Sequence, residues 1–166
     1  MNEIYLLPIF TLSICLYYIL KNRLAIFFPS FPRMIRIIEK MADARNKDAV
    51  YDLGSGDGRV LEGFARRGIK CIGIEQNPLL NRIARKKLGM YKKVEIVKGD
   101  IFGQDLSKAS IIIAYLSRYL TKDLQKKIKK ECKKGTKIIL VSYRFDEWEY
   151  VKMEKWFWLP IRLYVV

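Results

Sequence analysis

The chain has no histidine among its 166 residues. That absence excludes imidazole acid–base catalysis, Ser-His-Asp triads and every metal site built on histidine. Cysteine is scarce: Cys15, Cys71 and Cys132 are far apart and form no C-x-x-C pair. Such an odd, dispersed set makes neither a zinc site nor a disulfide framework, and suits a reducing compartment; no metal is expected. Acidic residues number 17 against 32 Lys and Arg, a formal net charge of +15. Charge of this kind speaks to partners and not to fold. Nucleic acid, anionic lipid and acidic proteins all suit it, as does a lysine-rich composition with no particular partner. Repeats, low-complexity stretches and dividing linkers are missing too, so one domain is expected.

One stretch lacks charge altogether: the seventeen residues from Ile4 to Leu20, followed by Lys21, Arg23 and a second apolar patch, Leu24 to Phe28. A bilayer-crossing helix needs about 20 apolar residues, with roughly 17 as the lower limit; snorkelling of Lys21 and Arg23 would extend the run. Tyr17 and Tyr18 lie near its basic end, where an aromatic belt belongs. Glu3 precedes it with no Lys or Arg, and no A-x-A site follows, which argues against a cleaved signal peptide. Residues 1–28 are therefore expected to be a single-pass membrane anchor, with the domain of residues 29–166 on the cytoplasmic side, following the positive-inside bias. An apolar helix packed on the domain or on a partner protein is the alternative.

Beyond Phe31, short apolar runs alternate with amphipathic segments, the pattern of stacked β-α units. Helices are expected over Met34–Ala42, Val60–Arg67, Pro78–Leu88 and Thr121–Lys133. Strands are expected over Ala49–Leu53, Lys70–Glu75, Val94–Val97, Ser110–Tyr115 and Lys137–Ser142. A closing hairpin follows, Tyr150–Phe157 and Ile161–Val166, turning at Leu159-Pro160.

The densest signal is Asp52-Leu53-Gly54-Ser55-Gly56-Asp57-Gly58, directly after an apolar strand. Glycines there let the backbone turn sharply and approach a ligand, at the start of a helix with free N–H groups. The G-x-G-x-G spacing departs from the G-x-G-x-x-G of dinucleotide sites. Acids at 52 and 57 line it poorly for a pyrophosphate and well for a cation. Glu75 ends the second strand, where a carboxylate can accept from both ribose hydroxyls. Asp100 ends the third and could accept from an adenine amino group, with Ile101 and Phe102 over the ring.

VYDLGSGDGR, GIEQNP and GD-I-F together resemble the cofactor motifs of class I, seven-β-strand S-adenosylmethionine-dependent methyltransferases. More narrowly, Phe28-Pro29-Ser30, Ala114-Tyr-Leu and Val141-Ser-Tyr-Arg-Phe145 with Trp148 are similar to the small archaeal protein-lysine methyltransferases. They are similar as well to the mitochondrial enzymes acting on the ADP/ATP translocase and on the ATP synthase c-subunit, which also carry an N-terminal apolar segment. The resemblance covers about residues 28–148. It implies an α/β, Rossmann-like sheet with helices on both faces, preceded by the apolar helix, and S-adenosyl-L-methionine as cofactor. It assigns that cofactor to Asp52, Gly54, Gly56, Glu75, Gln76, Asp100 and Ile101, with Pro29 and Ser30 at the pocket lip. The fourth strand ends in Tyr115-Leu116-Ser117, so the [DNS]-P-P-[YF] motif of amide and nucleobase-amino methyltransferases is absent.

A lysine nucleophile must be neutral, and an apolar aromatic channel favours that form. Tyr115, Tyr143, Phe145 and Trp148 are the candidates for its wall, at the strand ends where an open sheet presents its crevice. Tyr115 is expected nearest the reacting nitrogen, with Ser142 accepting a hydrogen bond. Seven lysines crowd the stretch from Lys122 to Lys134, on a helix whose buried stripe is Leu120, Leu124 and Ile128; they suit anionic lipid, RNA phosphates or plain solvent. The leading expectation is a membrane-anchored protein-lysine N-methyltransferase with a protein substrate. RNA methylation, lipid or quinone methylation, and cofactor binding without turnover stay open.

Overall fold

Strands with large apolar side chains on both faces must be covered on both sides. All four residues of Ile111–Ala114 are buried, as are Val50–Leu53 and Ile138–Val141. The computed structural model describes residues 29–166; the expected anchor, residues 1–28, lies outside them. Among the described residues no helix is long and apolar enough to cross a membrane.

The elements in chain order are α1 (Pro32–Ala42), β1 (Ala49–Leu53), α2 (Arg59–Arg66), β2 (Lys70–Glu75), α3 (Pro78–Leu88) and β3 (Val94–Lys98). A single 3-10 turn (Ile101–Gly103) precedes β4 (Ile111–Ala114), α4 (Arg118–Glu131), β5 (Lys137–Val141), β6 (Lys152–Trp156) and β7 (Leu159–Val165). The seven strands form one sheet in the order β3-β2-β1-β4-β5-β7-β6. β1 to β5 run parallel, and β7 slots antiparallel between β5 and β6. Strand order reverses at β1 and β4, so a crevice opens beyond their carboxyl ends.

Side-chain alternation sends successive residues to opposite cores. On one face Met34, Ile38, Phe64 and Leu88 of α1–α3 pack on Val50, Cys71, Ile113 and Ile139. On the other, Leu124 and Ile128 of α4 pack with Ile112 and Ile138, and the remaining area is filled by Leu106, Phe145 and Tyr164. Helices do lie on both faces, but unequally: three against one among the described residues.

Three expectations need correction. α4 begins at Arg118, three residues early, because Ser117 takes the extended conformation of a helix-start residue. The hairpin turns at Phe157-Trp158, not at Leu159-Pro160. Pro160 fits inside β7 because its carbonyl accepts from the Ser142 N–H beyond the end of β5, while Arg162 donates to the Ser142 carbonyl that a backbone N–H at 160 would otherwise serve. Phe145 and Trp148 do not wall the crevice. Phe145 is 2% exposed and stacks on Trp148 at 5.2 Å, and both pack against Tyr164 beneath the α4 face.

Candidate active site

The loop after β1 folds back over β2: the Gly54 and Ser55 N–H groups both donate to the Ile74 carbonyl, at 2.9 and 3.0 Å. Gly54 takes φ 82, and a Cβ there would meet Leu116 at 3.1 Å; Gly58 takes φ 79, and a Cβ would collide with Leu88 at 2.7 Å. These two glycines let α2 start against α3 and keep the strand-end backbone open to the crevice. The resulting cavity, about 330 Å³, lies in the size range of small-molecule sites.

Asp52, Gly54, Gly56, Glu75, Gln76, Asp100 and Ile101 all line this cavity, as do Ser30 and Tyr115. Glu75 is pinned by the backbone: its Oε2 accepts from the Gly56 N–H at 2.9 Å and its Oε1 from the Asn77 N–H at 2.7 Å. Each oxygen keeps a further lone pair for a ligand hydroxyl. Asp100 starts the 3-10 turn, its Oδ1 accepting from the Phe102 N–H at 3.1 Å.

Asp52 Oδ2 and Ser55 Oγ are buried with no hydrogen-bond partner. Burial, with Glu75 and then Asp57 nearby, pushes the Asp52 carboxyl up from 3.8 to about 7. An orphaned, crowded carboxylate facing a cavity is relieved by a cationic ligand. Asp57, expected as a second lining acid, does line the cavity, but its charge is countered by its own neighbours. Burial opposes its ionisation, but hydrogen bonds from Arg59 at 2.8 Å and Lys87 at 3.0 Å outweigh that and hold it at about 2.

On the opposite rim, Tyr115 stands with Leu116, Leu120 and Val141. Burial, and then Tyr143 close by, raises the Tyr115 phenol above its ordinary value, so it stays protonated at neutral pH. Pro29, Ser142 and Tyr143 do not line the cavity: Pro29 is half-buried beside Ser30, and Tyr143 is 40% exposed. Ser142 is held left-handed at φ 76. Its N–H donates to Pro160, and Arg162 donates to the carbonyls of both Ser142 and Tyr143, at 3.1 and 3.3 Å. Arg162, in a strand with no motif, gave no sequence signal. Leu116 and Val141 line the cavity for a reason sequence cannot supply, namely which side of a strand end faces the crevice.

A mixed seven-stranded sheet with its cavity at the switch point of its parallel strands, a glycine turn after β1 and acids at the carboxyl ends of β1, β2 and β3 defines a class I S-adenosylmethionine-dependent methyltransferase. The chain belongs to the family of the ANTKMT methyltransferase domain, which matches residues 52–152. It is 31% identical over 136 residues to a protein-lysine N-methyltransferase of Saccharolobus islandicus, covering 77% of this chain and 84% of that protein. It is 27% identical over 92 residues to the Homo sapiens lysine N-methyltransferase of the ATP synthase c-subunit, covering 54% of this chain and 39% of that one. An RNA methyltransferase from Salinibacter ruber, solved in complex with S-adenosyl-L-homocysteine, superposes with a TM-score of 0.79 at 27% identity. That match covers 84% of this chain and 94% of the other. S-adenosylmethionine is accordingly the cofactor, and the orphaned Asp52 and Ser55 atoms in a glycine-lined cavity fit it.

Proposed function

We propose that the protein is a protein-lysine N-methyltransferase working at a membrane surface, with the Ile4–Leu20 segment as its anchor and the catalytic domain on the cytoplasmic side. The observation that carries the acceptor is the 31% identity with the archaeal lysine enzyme over most of both chains. When bound, S-adenosylmethionine supplies a methyl group on an electrophilic sulfonium. Asp52 would face its positive charge, Glu75 would accept from the ribose hydroxyls, and Asp100 and Ile101 would hold the adenine. Gly54 and Gly56 keep the backbone clear, with Gln76 and Ser30 at the rim and Pro29 behind Ser30.

The acceptor lysine must arrive neutral, since an ammonium has no lone pair with which to displace sulfur. Tyr115, Leu116 and Val141 give its channel an apolar wall that disfavours the ammonium. Tyr115 stays a phenol, so it acts by holding the nitrogen in line and not by taking its proton. Ser142 and Tyr143 stand just outside, and their part is to shape the mouth.

RNA methylation is the second reading, favoured by the Salinibacter neighbour and by the exposed Lys122, Lys126, Lys129, Lys130, Lys133 and Lys134 on and just after α4. Tritiated S-adenosylmethionine, the full chain and a membrane-plus-cytosol extract separate the two. Label that is lost to protease and recovered as methyl-lysine supports the lysine reading. Label lost to nuclease, or extracted with lipid, overturns it.

A further inference from the structure

Tight hairpins usually turn on glycine, asparagine or aspartate, which tolerate positive φ. The turn between β6 and β7 is Phe157-Trp158, with Phe157 held at φ 51. The Trp156 and Phe157 rings lie 5.1 Å apart, and those of Phe157 and Trp158 5.9 Å. Phe157 is 70% and Trp158 80% exposed. Neither backbone preference nor core packing accounts for two large rings here.

Their position does. Ile161 pairs with Val141, and the Pro160 carbonyl accepts from Ser142, so the turn projects past the carboxyl end of β5, on the cavity's edge of the sheet. Three residues of strand place it about 10 Å beyond Val141. Ser30 lines the cavity while the next residue, Phe31, stacks on Trp156 at 4.7 Å. The described residues therefore begin beside this hairpin, at Pro29 and Ser30, and the sequence before them holds the uncharged Ile4–Leu20 run, with Lys21 and Arg23 after it. Lys155 on β6, next but one to Phe157, and Arg33 in the first turn of α1, two residues after Phe31, are exposed.

We propose that Phe157 and Trp158 form a second contact of the domain with a lipid bilayer. The two rings seat at the headgroup level, where tryptophan is favoured, and the basic residues meet anionic headgroups. The cavity mouth then faces the membrane surface. This deepens the membrane-surface reading above and rests on it.

The test uses the full chain reconstituted with vesicles of phosphatidylcholine and phosphatidylglycerol, with and without brominated acyl chains near the headgroup. Flotation reads the anchor, and bromine quenching of tryptophan emission reads the hairpin. The expected result is flotation with quenching, of which Trp158→Phe removes at least about half while Trp148→Phe, across the sheet, leaves it in place. Flotation with quenching that Trp158→Phe does not change overturns the hairpin contact and leaves the anchor standing. A chain that does not float overturns both. A surface given instead to a second copy would show as unquenched Trp158 with concentration-dependent dimerisation, and equally overturns the proposal.

Discussion

In the half of the sheet built by β1, β2 and β3, the strand ends carry carboxylates, those of Glu75 and Asp100 seated on backbone amides, and α2 and α3 cover the face beside them, while α1 lies over β5, β6 and β7. In the half built by β4, β5 and the β6–β7 hairpin, the strand ends carry tyrosines, and an aromatic block of Phe145, Trp148 and Tyr164 stands where further helices could have packed. The first arrangement fixes a polar ligand through few, directional contacts. The second relies on shape and apolar area, and it leaves the rim free to vary with the acceptor.

The comparison is broken most severely by removing the ring at the centre of the block. Tyr164→Ala should cost about 3–5 kcal/mol in urea unfolding, because the side chain is fully buried. Tyr164→Phe, which loses only the hydroxyl that accepts from the Phe145 N–H at 3.2 Å, should cost about 1 kcal/mol. Equal losses would mean that the hydrogen bond, not the packing, holds this half together.

Next in size is Glu75→Ala, which strips the Gly56 and Asn77 amides of their acceptor. Calorimetry should find S-adenosylmethionine bound about 100-fold more weakly, given what charged hydrogen bonds contribute. Tyr115→Phe in the other half should leave that affinity within about threefold and lower turnover instead, an interaction made in the transition state and not in cofactor binding. Affinity lost equally in both variants would erase the division of labour.

A smaller effect follows from Asp52. Its folded-state value of about 7 lies above its ordinary 3.8, so between those values the cofactor-free folded state keeps a proton that the unfolded chain has released. Stability of the cofactor-free protein therefore falls as pH rises through that window. The cationic cofactor prefers the carboxylate, so affinity should rise about tenfold from pH 6 to pH 8, a change on the scale of one pKa unit. Asp52→Asn should flatten both profiles; a wild-type titration already flat would remove Asp52 from the cofactor's charge. The smallest change is Ser142→Gly, which relieves the φ of 76 and should raise stability by no more than about 1 kcal/mol. If turnover survives it, the Ser142 hydroxyl takes no part in holding the acceptor.

The same two halves differ in how much their sequence declared. β2 and α3 run over the expected residues because an apolar strand ends at Glu75 and Pro78 fits a first helical turn. Asp52, Glu75 and Asp100 meet in one cavity because parallel strands of known order bring their carboxyl ends together. In the other half, Phe145 and Trp148 follow a strand at spacings that do not say which side of the sheet they take. A hairpin that turns on an aromatic residue at positive φ hides from any search for glycine, and a proline beyond it draws attention to the wrong place. Asp57 was legible as an acid but not as one already paired, since Lys87 reaches it from 30 positions away.

β7 is held from both sides, by β5 over Lys137–Val141 and by β6 over Lys152–Trp156. Among the described residues β6 has no other partner in the sheet. The two antiparallel strands therefore open together: a β7 drawn away from β5 carries β6 with it and turns β5 into an unpaired edge. Asp52, Glu75 and Asp100 sit at the ends of strands that β7 does not touch, so such a local opening leaves the cofactor's place intact while the acceptor side comes apart.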